Sequence, residues 1–166
     1  TYVIGARVPK GSVTDALYWD TLRAYHYVRI QPMHDANGVE NDEYDLLIVG
    51  GEDHKSGQAN DTAQRHARLE AWTRERFPIE EVEFTWAGQV METVDGLAFI
   101  GRNPMDKENV YVVTGDSGMG LTHGTIAGML LSDLIQGKEN PWSSLYDPSR
   151  KPVRAALQFA KENLNV

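Results

Sequence analysis

Cysteine is absent from this 166-residue chain. That single absence removes disulfides, thiolate-held zinc, thiolate-held iron–sulfur clusters and cysteine nucleophiles. Cations are scarce as well: Lys and Arg total 16 against 24 Asp and Glu, a net charge of −8 and a pI near 5.0. A nucleic-acid partner demands a basic face, so that class of ligand is set aside. Long apolar runs are also missing. None approaches the ~20 residues that cross a bilayer, and the start lacks the basic and apolar regions of a signal peptide. A soluble, cytoplasmic protein with no membrane partner is expected. The five His residues show no paired ligand spacing such as His-x-x-x-His, so no metal site is expected. Finally, the chain has no initiator Met and opens on the β-prone run Tyr2-Val3-Ile4, as though a strand were already under way, so it is read as a piece of a longer protein.

What is present suffices for a globular body, since 41% of the residues are hydrophobic. The first half carries short β-rich runs, Tyr2 to Ile4, Leu17 to Trp19, Tyr25 to Ile30 and Tyr44 to Val49, separated by Gly, Pro, Asn and Asp. They predict an antiparallel meander. The polar segment Met33 to Glu43 contains Asn37-Gly38 and reads as a long hairpin loop. Asp61 and Gln64 then form the spacing of a capping box, which predicts a helix over 62–76 closed by Pro78. Three more strands follow, at Val82 to Trp86, Leu97 to Ile100 and Val110 to Thr114. A strongly apolar helix starts near Gly120 and ends at Gly137, and after a Pro-punctuated connector Val153 to Leu164 shows a modest helical pattern.

The informative stretch runs from Asn109 to Gly128: a strand, the turn Gly115-Asp116-Ser117-Gly118-Met119, and a helix opening on Gly120-Leu121-Thr122. Gly115 and Gly118 let the backbone turn sharply and approach a ligand, and the free N–H groups of the helix start favour an electron-rich group. Gly120, Gly124 and Gly128 share one helix face and would permit close packing there. A glycine-rich turn by itself is compatible with a bare structural turn. The nucleotide-binding alternatives fit poorly, because there is no Gly-x-Gly-x-x-Gly opening a first βαβ unit and no Gly-Lys-Ser/Thr.

Ordered blocks give a more specific indication. Trp86-Ala-Gly-Gln89, Asp95-Gly-Leu-Ala-Phe-Ile-Gly-Arg102, Asn109-Val-Tyr111, the stretch from Gly115 to Gly128, and Ser144-Leu-Tyr-Asp-Pro-Ser-Arg150 resemble, in sequence and spacing, the C-terminal half of FAD-dependent oxidoreductases of the D-amino-acid oxidase and glycine oxidase superfamily. Tyr18-Trp19-Asp20, Tyr25-His-Tyr-Val-Arg29, the run from Gly50 to Gln58 and the terminal Glu162 to Val166 are similar to the subfamily in which such an enzyme is fused to a Rieske [2Fe–2S] domain.

The resemblance implies an α+β fold in three parts: a mixed, mostly antiparallel substrate-cap sheet with helices on one side (1–94), a strand, glycine turn and helix returning to the FAD domain (95–137), and a connector (138–166). It implies FAD, held mostly by a segment absent from this chain, and a [2Fe–2S] cluster in a downstream domain. Gly115, Asp116, Ser117, Gly118, Met119, Gly120, Leu121 and Thr122 would lie near the pyrimidine edge of the flavin, with Asp116 turned outward or capping and Arg102 fixing the flavin loop. Arg102 is equally well read as a surface salt-bridge partner. Gln89, Trp86, His26 and His54 are the substrate-side candidates, with plain structural roles as the alternative for each, and no catalytic residue is assigned.

The chain also departs from that family. Gln89 stands where amino-acid oxidases carry a carboxylate-binding Arg, Gly118 where glycine oxidases carry an Arg, and Thr122 where sarcosine oxidases carry a Lys. The functional expectation is a piece of an enzyme that oxidises an amine or amino-acid-like small molecule by hydride transfer to flavin. A binding or scaffold module that kept the fold without turnover is the second reading. A fragment parted from its FAD domain would also expose apolar helix surface and self-associate.

Overall fold

A computed structural model describes residues 1–151. The helix expected at Val153 to Leu164 lies outside the described residues. The chain divides into two compact units, Thr1–Gln89 and a second beginning at Val90.

The first unit is a five-stranded sheet in the order β2-β3-β4-β1-β5, with every pairing antiparallel. Its strands are β1 (Tyr2–Pro9), β2 (Tyr18–Trp19), β3 (Tyr27–His34), β4 (Glu40–Gly51) and β5 (Val82–Ala87). Helix α1 (Thr62–Arg74) covers one face. Alternation along the strands explains that face. Tyr2, Ile4, Ala6 and Val8 of β1, Val28 of β3 and Leu47 and Val49 of β4 pack with Leu69 of α1 and Ile79, and Trp72 and Phe77 close the rim.

Two local readings of the sequence are corrected here. The polar segment Met33 to Glu43 is mostly ladder rather than loop: β3 continues to His34 and β4 begins at Glu40. The Asp35 carboxylate accepts from the Asn37 and Val39 amides at 2.8 Å, and Gly38 takes a positive φ of 79°, so a tight turn suffices. Nor does Asp61 cap α1. Its carboxylate instead accepts from Arg65 Nε at 2.7 Å and Arg68 Nη2 at 3.3 Å, because guanidinium groups about one and two turns ahead outcompete the helix amides for it.

The second unit holds the antiparallel pair β6 (Phe99–Arg102) and β7 (Tyr111–Thr114), helix α2 (Gly120–Ile135) and the single turn α3 (Ser143–Tyr146). Its core is Ala98, Ile100, Ala127, Leu130 and Tyr146. Arg150 ties the ends of this unit together. Its guanidinium makes two hydrogen bonds to the Asp95 carboxylate at 2.8 and 2.9 Å, donates to the Leu97 and Ala98 carbonyls, and lies 3.9 Å from the Phe99 ring centre. No helix among the described residues is long and apolar enough to cross a membrane.

Candidate functional site

The strand-to-helix turn after β7 is built from backbone that favours glycine. Gly115 and Gly118 have φ of 72° and 80°, and a Cβ on Gly115 would collide with the Thr93 methyl group. Between them Ser117 adopts the same left-handed region at φ 52°. The turn is pinned at several points. Ser117 N–H donates to the Met91 carbonyl, Met119 N–H to the Asp116 carbonyl, and the buried His123 donates from Nδ1 to that same carbonyl at 3.1 Å while its ring meets Tyr146 edge-on. The acceptor is a carbonyl, so Nδ1 carries the proton. His123 was not singled out in the sequence; its signal is its place three residues into the helix, on the Ala127–Leu130 face.

What the turn presents is a helix start without a cap. No side chain bonds the first amides of α2, and the N–H groups of Gly120, Leu121 and Thr122 find no acceptor among the described residues. The Ser117 hydroxyl is buried and likewise has no partner among them. A cleft of ≈ 260 Å³ opens beside Gly120, lined by Met91, Val113, Thr114, Gly115, Asp116, Gly120, His123 and Gly124.

Asp116 is half-buried and does not cap α2. Its Oδ2 would lie 2.9 Å from a Cβ on Gly120, so the carboxylate fills the space that this side-chain-less residue leaves over the first helical turn. No strand or helix among the described residues packs closely on Gly124 or Gly128, since both are exposed with nothing within 4 Å of a Cβ. Glycine offers no side chain to bury, and α2 turns Ala127 and Leu130 to the strands instead. Arg102 is exposed and has no salt bridge among the described residues; it borders a separate cleft with Met105 and Asp147.

The remaining candidates lie in the first unit and do not converge. His26 is buried on the α1 side of the sheet. Its Nδ1 lies 2.8 Å from Asp20 Oδ2, its ring stacks on Trp72 at 4.2 Å, and its Nε2 is buried 3.9 Å from Glu52 without a hydrogen bond. His54 has both ring nitrogens engaged, with the Tyr2 hydroxyl at 2.9 Å and the Lys55 carbonyl at 2.7 Å. Trp86 projects from the opposite, open face of the sheet, beside Val3, and Gln89 is exposed just after β5.

One unit is an antiparallel sheet backed by one helix, and the other a strand, a left-handed glycine turn and an uncapped helix start. Residues 3–134 match the family described as FAD dependent oxidoreductase, and the chain belongs to that family. It is 34% identical over 113 residues to YhfW of Bacillus subtilis (strain 168), named as a Rieske 2Fe-2S iron-sulfur protein, covering 68% of this chain and 22% of that protein. It is 33% identical over 99 residues to a D-amino acid dehydrogenase of Allorhizobium ampelinum, covering 57% of this chain and 23% of the other. The crystal structure of iminodiacetate oxidase from Chelativorans sp. BNC1 shares the fold, with a TM-score of 0.50 at 21% identity over 89% of this chain and 38% of that one. The chain thus spans roughly a fifth to two fifths of the length of these relatives.

The residues at the turn fit FAD. Unpartnered amides at the positive end of a helix, beside a buried hydroxyl with an open hydrogen bond, are donors for the electron-rich edge of an isoalloxazine. The Asp116 carboxylate, lying over the first turn of α2, opposes negative charge there.

Proposed function

We propose that this chain is the substrate-cap and flavin-closing part of an enzyme that oxidises an amine or amino-acid-like substrate by hydride transfer to FAD. In this reading residues 1–94 form the cap, and residues 95–137 return to the domain that holds most of the cofactor. The single observation that carries it is the uncapped start of α2, with the free amides of Gly120, Leu121 and Thr122 beside the buried Ser117 hydroxyl. FAD, when bound, supplies the hydride acceptor.

The chain's own residues do the rest. Gly115, Gly118 and Met119 set the path of the turn, and His123 holds it through the Asp116 carbonyl. The amides of Gly120 to Thr122 donate to the pyrimidine edge, each such helix terminus contributing about 0.3–1 kcal/mol to an added negative charge. No side chain needs to act as a base, because orienting the C–H bond of a neutral amine toward the acceptor is sufficient. The names of the relatives, a D-amino acid dehydrogenase and an iminodiacetate oxidase, support an amine carrying a carboxylate as the substrate class. The Rieske relative supports an iron–sulfur acceptor for the electrons.

The test is the visible spectrum of the full-length protein, recorded before and after anaerobic addition of sarcosine, D-alanine, iminodiacetate and diethylamine. Flavin bands that bleach with one of these amines support the reading. A protein that stays colourless after reconstitution with FAD overturns it and leaves the scaffold module.

A further inference from the structure

The face of the first sheet that α1 does not cover is built from the alternate residues of the same strands. The register sets them in rows: Trp19, Tyr27, Gly50, Val3 and Trp86 in one, Arg29, Ile48, Gly5 and Phe84 in the next, then Gln31, Leu46 and Arg7. Two glycines form its floor. The Tyr27 ring lies across Gly50, where a Cβ would overlap it, and Phe84 lies across Gly5 within 3.2 Å of a Cβ position. Trp19, Phe84 and Trp86 are all exposed on this face.

The charges on it are unevenly matched. Arg7 is neutralised by Glu81 and by Glu83 at 3.0 Å, and its guanidinium lies over the Tyr44 ring. Arg29 is exposed, and no carboxylate or carbonyl among the described residues pairs with it. Its neighbour Val28 points into the α1 core, so Arg29 stands on the open face, directly opposite the buried Ile48. An unpaired guanidinium on a face that carries Tyr27 and the exposed rings of Trp19, Phe84 and Trp86 suits a small organic anion with an apolar portion.

We propose that Arg29 binds the carboxylate of the substrate, and that the open face around Gly5 and Gly50 is the surface on which that substrate lies. This rests on the amine-oxidising function proposed above. It also supplies what Gln89, Gly118 and Thr122 do not, a cation able to hold a carboxylate in a bidentate fork. Arg29 is a positioning residue and takes no part in bond breaking.

The experiment uses the full-length flavin-loaded protein and its Arg29→Gln and Arg29→Lys variants. Anaerobic flavin bleaching is followed with sarcosine, D-alanine and iminodiacetate, and with the carboxylate-free diethylamine. In Arg29→Gln the half-saturating concentration of the carboxylate-bearing amines should rise about 10- to 100-fold, with the limiting rate changed far less, as expected for one charge-assisted pair. Diethylamine should be unaffected, and Arg29→Lys should restore part of the loss. Retention of the parent flavin spectrum and Tm shows that the variant is folded. A wild-type protein that oxidises the carboxylate-bearing amines, with Arg29→Gln within twofold of it, overturns the role of Arg29 alone. A wild-type flavin that bleaches with none of the amines overturns the proposed function together with this inference.

Discussion

The tie between Arg150 and Asp95 should carry a measurable share of the second unit's stability. The two side chains are only 12% and 18% exposed, and the guanidinium meets the carboxylate in a two-point fork. Its hydrogen bonds hold the Asp95 carboxyl well below the usual value of 3.8, at about 2. A fall of that size corresponds to about 2 kcal/mol of differential interaction. Because the folded-state pKa is depressed, this contribution is fully present above about pH 4 and is lost as pH falls toward 2. Arg150→Leu costs more than the pair itself, because it leaves the carboxylate and the Leu97 and Ala98 carbonyls without their donor. A loss of about 3 kcal/mol is expected. The assay is urea unfolding at neutral pH of the parent, Arg150→Leu, Asp95→Asn and the double variant, with the parent and Asp95→Asn repeated as pH is lowered from 5 to 3. A coupling energy of about 1–3 kcal/mol is expected, with a shallower loss of stability on acidification in Asp95→Asn. Coupling below about 0.5 kcal/mol, or identical acid slopes in parent and Asp95→Asn, refutes the argument.

Gly50→Ala sets a methyl group into the Tyr27 ring, so the ring must leave its seat and the hydrogen bond between its hydroxyl and Thr1 must break. A loss of about 1–3 kcal/mol is expected in thermal unfolding, and an unchanged Tm would show that the ring does not lie there. Asp116→Asn removes a negative charge from the start of α2. The midpoint potential of the bound flavin should move positive while helix stability falls by about 0.3–1 kcal/mol; spectroelectrochemistry on the full-length protein reads the first, and a negative shift would contradict the placement.

The architecture was legible in the sequence wherever burial was one-sided. Strand β1 as far as Ile4, strand β4 over Tyr44 to Val49 and helix α2 announce themselves through their apolar runs, in which Ile4, Leu47, Val49 and Leu130 are buried. The extension of β3 and β4 through polar residues was hidden, since ladder hydrogen bonds need no apolar side chains once a turn sets the register. Asp61 misled because a capping spacing says nothing of competing arginines about one and two turns ahead. For the site, the turn from Gly115 to Gly120 was visible as glycine spacing, whereas the partners of His26 and His54 depend on contacts between residues 6 to 52 positions apart. Arg29 was quoted within a block but not marked, because an alternating strand does not reveal which of its faces a helix will cover.

The glycines of α2 leave a question that their surroundings sharpen. Gly115, Gly50 and Gly5 each meet a side chain at the position of a Cβ, and Gly115 also needs its positive φ. Gly124 and Gly128 have neither reason: both sit inside a helix, with open space where a side chain would be. Each costs the helix about 0.5–1 kcal/mol relative to Ala, and nothing among the described residues offsets that cost. Gly124→Ala and Gly128→Ala should therefore raise the unfolding free energy of this 166-residue chain, measured by urea titration, together by about 1–2 kcal/mol. In the flavin-loaded full-length protein the same pair should weaken flavin retention, because Gly124 borders the cleft beside the α2 amides and a methyl group narrows it. Ultrafiltration of the holoprotein measures that retention. Stabilisation of both forms, with flavin held as tightly as before, would mean that this helix face meets no ligand and that its glycines serve neither packing nor binding.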